Sequence, residues 1–175
     1  EMARRFVREG AKVVIADINE EQGSRLAADL GAEAVFQRCD VSRDADMQAA
    51  VKTAVRHFGR LDILIANAGY THINQPFDQV PEEEFDRVMA VNVKGIFWGA
   101  RHAVAAFRNQ GGGGMILVIA STAGVRPRPG LAWYNASKFA AIGLTKSLAV
   151  ELAPEQIRVC AINPVAGDTP LLAKF

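Results

Sequence analysis

Short, nearly continuous apolar runs alternate with longer stretches of helical pattern along the whole of this chain. The runs A-K-V-V-I-A (residues 11–16), A-V-F-Q (34–37), L-D-I-L-I-A (61–66), M-I-L-V-I-A (115–120) and I-R-V-C-A-I (157–162) have strand length and are rich in β-branched residues. Helical periodicity fills residues 2–9, 20–30, 43–58, about 81–108 and 133–152, with Gly10, Gly31 and Gly59 as stops and Pro81 suited to a first helical turn. Strands separated by helices run parallel, and strands apolar on both sides need cover on both. The expected fold is therefore α/β, a doubly wound parallel sheet with helices on both faces. No repeat of solenoid period and no linker interrupts the 175 residues, so 1–175 reads as a single domain.

Composition removes several function classes. Apolar residues make up 50%, charged residues 22%, and the formal net charge is +1, with no basic cluster to form a nucleic-acid surface. No apolar run approaches the roughly 18 residues of a membrane span, and no signal peptide is visible. Cys39 and Cys160 lack CxxC spacing and read as buried, reduced thiols. His57, His72 and His102 lack ligand-like spacing, so no metal is expected. These features fit a cytoplasmic protein.

The chemistry concentrates between Ser121 and Lys138. Tyr134 and Lys138 stand four residues apart and share one face of a helix. Ser121 precedes the tyrosine by thirteen residues, at the end of an apolar strand, and the intervening Pro127, Pro129 and Gly130 can turn the chain back. A phenol near its ordinary pKa of about 10 is a poor base, and a neighbouring ammonium favours its ionised form. The serine hydroxyl can then orient a carbonyl or alcohol oxygen while the tyrosine exchanges its proton. None of these groups carries a hydride, which a cofactor must supply.

Ligands of open parallel sheets gather at the carboxyl ends of the strands. Asp17, followed by Ile18, sits where a carboxylate binds adenosine ribose hydroxyls and repels the extra phosphate of NADP. It can also cap the helix at Glu20, and the two roles can coexist. Asp40, beside Val41, either caps the next helix or accepts from an adenine amine. Asn67, Ala68 and Gly69 let backbone approach a flat ligand, or form an ordinary turn. The run from Gly111 to Gly114 follows a helix and precedes a strand, the reverse of a phosphate cradle.

With these residues placed, the chain resembles the short-chain dehydrogenase/reductase family, in its branch of single-domain enzymes of roughly 250 residues with a Rossmann-type fold. The features that match are the acidic strand end at Asp17, Asp40-Val41, Asn67-Ala68-Gly69, Asn92 within V-N-V-K-G, Ser121, the Tyr134-to-Lys138 motif, and Asn163-Pro164 followed by Thr169. The resemblance implies that Tyr134 is the acid/base, that Ser121 orients the substrate oxygen, and that Lys138 lowers the tyrosine pKa and binds the nicotinamide ribose. It implies that Asn92 holds a water linking Lys138 to solvent. Pro164 and Thr169 would flank the nicotinamide, and Asp17 favours NAD over NADP. Val165 departs from the family's usual glycine, with Gly167 nearby to supply backbone freedom.

The family's glycine-rich T-G-x-x-x-G-x-G turn and its first, central strand are expected before Glu1, and a substrate loop, helix and final strand after Phe175. The chain accordingly reads as a fragment, incomplete at both ends, with a gap between the strands at residues 11–16 and 61–66. The expected activity is an NAD-dependent interconversion of a secondary alcohol and a ketone or aldehyde. An NADP-linked reductase of 3-oxoacyl type and a non-catalytic nucleotide-binding scaffold are the alternatives. Tyr70, Thr71, His72, Trp133 and the loop at residues 126–129 are expected to line or rim a small-molecule pocket. The resemblance also implies a homodimer or homotetramer built on the helices at Glu82 and Trp133.

Overall fold

The computed structural model describes residues 1–165. In chain order the regular elements are α1 (Met2–Arg8), β1 (Val13–Asp17), α2 (Glu20–Leu30), β2 (Ala34–Arg38), α3 (Asp44–Phe58), β3 (Ile63–Ala66), α4 (Glu82–Met89), α5 (Gly95–Asn109), β4 (Gly114–Ile119), α6 (Ala132–Leu152) and β5 (Ile157–Ile162). Local chemistry sets many of the limits. Asn19 caps α2 by accepting from the Gln22 N–H at 2.9 Å, and Gly59 closes α3 in the left-handed conformation, its N–H bonded to Val55 C=O at 2.9 Å. The run at residues 111–113 has three successive glycines at positive φ (99°, 90° and 76°), a reversal between α5 and β4 that side-chain-bearing residues would resist.

The strands are parallel, as the alternation predicts. They form two groups, β1 beside β2 and the order β3-β4-β5. Among the described residues β1 pairs only with β2 and β3 only with β4, so β1 and β3 are not hydrogen-bonded to each other. Helices cover both faces of the β1–β2 pair. Phe36 packs on Gly23 of α2, so closely that a Cβ there has no room, while its neighbour Gln37 accepts from Thr53 Oγ1 of α3 at 2.9 Å. Adjacent strand residues point to opposite faces, so α2 and α3 lie on opposite sides.

The main core lies where α5 and α6 pack on the three-stranded sheet, around Phe107, Ile116, Val118, Ala141, Leu152 and Ile157. The other side of β5 exposes Arg158, Cys160 and Ile162. The expectation of two buried thiols therefore holds for Cys39 but not for Cys160, whose strand position faces away from the helices. Burial pushes the Cys39 thiol up to about 11, helped by the charges of Asp46, Asp40 and Asp17. No helix among the described residues is long and apolar enough to cross a membrane.

The helix expected to run unbroken from Pro81 is interrupted. Between α4 and α5 the residues Ala90–Lys94 form a turn of π-helix. Such a turn inserts one residue into the helical register, and the inserted stretch here contains Asn92.

Candidate active site

Parallel strands bring all their carboxyl ends to one edge. That edge carries Asp17 at the end of β1, Asn67 to Gly69 after β3, Ser121 after β4 and Pro164 after β5. The Thr122 N–H donates to Pro164 C=O at 3.1 Å, which ties the ends of β4 and β5 together beside Ser121. The N-terminal turns of α6 supply Tyr134 and Lys138, both buried at 4% and 5% exposure, and Ser121 is buried at 9%. Burial at these positions means that their polar atoms depend on protein partners.

Ser121 has extended backbone and caps a short 3₁₀ turn, its Oγ accepting from the Ala123 N–H at 3.1 Å. The Ser121 and Tyr134 hydroxyls are hydrogen-bonded to each other. Burial raises the Tyr134 pKa above that of a free phenol, against the lowering effects of the Ser121 bond and the charge of Arg128. The sequence reading gave Lys138 the opposite influence. Here the influences on the phenol are its burial, Ser121 and Arg128, and the Lys138 ammonium lies 5.7 Å from the centre of the Tyr134 ring. Lys138 is itself destabilised as a cation, pushed down to about 8 by burial, and donates to Ile119 C=O at 3.0 Å.

Asn92 has 2% exposure and a side chain bonded on both sides of its amide. Its Oδ1 accepts from the Tyr70 N–H at 2.8 Å, and its Nδ2 donates to Tyr70 C=O at 2.8 Å and to Ser137 Oγ at 2.9 Å. Ser137 in turn donates to Tyr134 C=O at 2.7 Å. Both amide hydrogens are used, and Oδ1 retains a second acceptor lone pair. A methyl group added at Gly69 would lie 3.8 Å from both Asn92 Oδ1 and Lys138 Nζ, so these two atoms flank the same short stretch of backbone.

The candidate cofactor residues fall along the same edge. Asp17 is exposed, and its Oδ1 accepts from the Asn19 N–H at 2.9 Å. Since Asn19 caps α2, the helix-cap alternative for Asp17 is replaced by a turn within the strand-end loop. Ile18 is 61% exposed beside it. Asp40 Oδ1 accepts from Ser42 Oγ at 2.7 Å and the Ser42 N–H at 2.9 Å, and the Ser42 hydroxyl holds its carboxyl below the usual range. Val41 packs against Gly95 at the start of α5. Asn67, Ala68, Gly69 and Pro164 are exposed. Thr169, with Gly167, lies outside the described residues. Among the described residues, no group of three His, Cys, Asp or Glu is placed to hold a metal ion.

Two expected rim residues pack against α4 and the segment before it. Tyr70 donates its hydroxyl to the Glu84 carboxylate at 2.9 Å, under the Arg87 guanidinium at 4.2 Å from the ring centre. Trp133 stacks edge-on with Phe85 at 5.2 Å and donates to Phe77 C=O at 3.3 Å. Ser137 and Asn135 went unnoticed in the sequence. Their signal was a pair of polar residues on the face of α6 that also presents Tyr134 and Lys138 to the interior. A cavity of about 1050 Å³ lies between α3 and α5 and contains none of the candidate residues.

A twofold-wound parallel fold with a buried serine, tyrosine and lysine at its strand ends defines a class of coenzyme-dependent proteins, and the relatives of this chain agree. The chain belongs to the short chain dehydrogenase family, whose match spans residues 1–175. It is 48% identical over 99% of its length to the 4-formylbenzenesulfonate dehydrogenase of Comamonas testosteroni. It is 41% identical over 96% of its length to the 3-alpha-(or 20-beta)-hydroxysteroid dehydrogenase of Mycobacterium tuberculosis. It spans 70% and 64% of the lengths of these two relatives. Among solved structures, the 3-ketoacyl-(acyl-carrier-protein) reductase of Brucella melitensis complexed with NADH is 47% identical and superposes with a TM-score of 0.96, over 99% of this chain and 73% of that one.

Proposed function

We propose that this chain carries the coenzyme-binding and acid/base centre of an NAD-dependent oxidoreductase that interconverts a secondary alcohol and a ketone. The observation that carries the reading is the buried, hydrogen-bonded pair of Ser121 and Tyr134 with Lys138 one turn further along α6. Membership of the short chain dehydrogenase family and the named dehydrogenases among its relatives support it.

The residues present fit a nicotinamide dinucleotide. The exposed Asp17 carboxylate suits ribose hydroxyls, and the open Asn67-Ala68-Gly69 backbone suits a flat ring. Lys138 keeps donors beyond its bond to Ile119 for a second ribose. Ile18, Asp40 and Val41 would surround the adenine, and Pro164 and Thr169 the nicotinamide. When bound, NAD supplies the hydride acceptor.

Ser121 holds the substrate oxygen by its hydroxyl, and Tyr134 takes that oxygen's proton during oxidation or returns it during reduction. A phenol raised by burial holds its proton at neutral pH, so it donates readily and needs help to accept. Lys138, near neutrality at about 8, supplies that help by carrying positive charge towards the phenolate as it forms. Asn92 Oδ1, with one acceptor position left, holds a water through which Lys138 exchanges protons with solvent.

A second reading is an NADP-linked reductase of 3-oxoacyl type, favoured by the printed name of the Brucella relative, although that structure holds NADH. Asp17 opposes it, because a carboxylate there repels a ribose phosphate. The oligomer expected from the resemblance would use the face of α5 and α6 that exposes Phe97 and Phe139. Calorimetry of NAD and NADP binding to the intact protein tests the reading. NAD should bind at least about tenfold more tightly, and Asp17→Ala should erase the preference. A protein that binds neither coenzyme is a scaffold instead.

A further inference from the structure

A closed circuit of contacts runs round the Ser121 and Tyr134 hydroxyls. These two are hydrogen-bonded, and the N–H of Thr122, next to Ser121, donates to Pro164 C=O at 3.1 Å. Val165, next to Pro164, accepts from Arg128 Nη2 at 3.3 Å. Arg128 C=O accepts from Asn135 Nδ2 at 2.8 Å, and Asn135 follows Tyr134. Arg128 therefore closes the circuit, with its backbone tied to the first turn of α6 and its guanidinium tied to the end of β5.

The loop that carries it is anchored on its other side as well. Asn74 Nδ2 donates to Pro129 C=O at 3.2 Å, and the Gln75 N–H donates to Gly130 C=O at 3.0 Å. Gly130 has a φ of 74°, and a side chain there would collide with Asn74. The guanidinium that this loop holds is exposed and makes no ion pair with a described carboxylate. Most of its five donors remain open towards solvent. Its charge is felt at the phenol, whose pKa it draws down. Arg126, two residues earlier, is equally exposed but joins none of these contacts.

We infer that Arg128 is a substrate-recognition residue and that the substrate carries an oxyanion, a carboxylate or its equivalent, separate from the carbon that reacts. This rests on the oxidoreductase reading above. A guanidinium offers paired donors that match the two oxygens of a carboxylate, and a charge that no described carboxylate neutralises, held at the end of β5 next to the turn at Ser121, selects such a group over a neutral one. At a site open to water, one such contact is worth about tenfold in affinity.

The test uses the intact protein loaded with NADH and two secondary alcohols of equal shape, 4-(1-hydroxyethyl)benzoate and 4-(1-hydroxyethyl)benzamide, with binding followed by nicotinamide fluorescence. The benzoate should bind about tenfold more tightly. Arg128→Met should abolish that preference while NADH affinity holds, and Arg128→Lys should retain part of it as a point charge. Equal binding of the two alcohols, including no binding of either, overturns the inference, as does a preference that survives in Arg128→Met. Loss of NADH affinity in Arg128→Met also overturns it, by assigning the arginine to the coenzyme phosphates. Failure of the parent protein to bind NADH is a separate result, which removes the oxidoreductase reading and this inference together.

Discussion

Asn92 and Tyr70 are joined head to tail: the Asn92 side-chain amide accepts from the Tyr70 N–H and donates to the Tyr70 C=O, each at 2.8 Å. An amide side chain here takes the place of a neighbouring strand, and it stitches the loop after β3 to the π-helical turn between α4 and α5.

Removing that side chain takes one partner from each of the half-buried Tyr70 N–H and C=O. Asn92→Ala should cost about 1–3 kcal/mol for each stranded group that water cannot reach. Urea denaturation measures the loss. Asn92→Asp keeps the acceptor but loses both donors to Tyr70 C=O and Ser137, and should also fall below the parent. A fully stable Asn92→Ala protein would mean that the contact contributes nothing to the loop.

Lys138 shows the opposite balance between stability and chemistry. Its ammonium falls from the ordinary 10.5 to about 8 on burial. An amine whose folded pKa lies below its unfolded value costs stability while the unfolded chain is protonated. The cost is full below about pH 8 and is relieved as pH rises towards 10.5. A depression of this size corresponds to roughly 3 kcal/mol, against about 1 kcal/mol for the bond to Ile119. In the protein without ligands, Lys138→Met should therefore be more stable than the parent at pH 7 by about 2 kcal/mol. The advantage should vanish as the pH approaches 10.5, and turnover should be lost at every pH. A less stable variant at pH 7 would contradict the burial cost.

Two glycines of the same region should respond with opposite signs. A Cβ at Gly124 would lie 2.6 Å from the Lys138 carbonyl oxygen, a backbone atom that cannot swing aside. Gly124→Ala should cost about 1–3 kcal/mol and displace α6 from Ser121. Gly143, inside α6, has nothing within 4 Å of its added Cβ. Gly143→Ala should stabilise by about 1 kcal/mol, through helix propensity alone. Thermal melts of the two variants check both signs.

Much of this arrangement was legible in the sequence because it depends on local pattern. The strand at residues 157–162 and the helix at 20–30 have the predicted limits. The spacing of Tyr134 and Lys138 meant what it suggested, since α6 covers both. What escaped depends on contacts through space. The V-N-V sequence around Asn92 does not announce a π-turn, because one inserted residue leaves the hydrophobic pattern nearly intact. The direction of the Tyr134 shift is set by burial, which residue spacing does not report. Cys160 alternates correctly along β5, but its strand face is exposed among the described residues. Asn135 and Ser137 acquire their roles from partners seven residues and forty-five residues away.

The central claim is that Tyr134 exchanges the substrate proton at a site that also binds NAD. It is tested most directly with Tyr134→Phe in the intact protein, by measuring NAD affinity calorimetrically and NADH formation by absorbance across a panel of secondary alcohols. The account predicts unchanged NAD affinity and a rate lower by roughly a thousandfold on any alcohol the parent oxidises, the scale of a lost acid/base group. A variant that still turns over at the parental rate would contradict it.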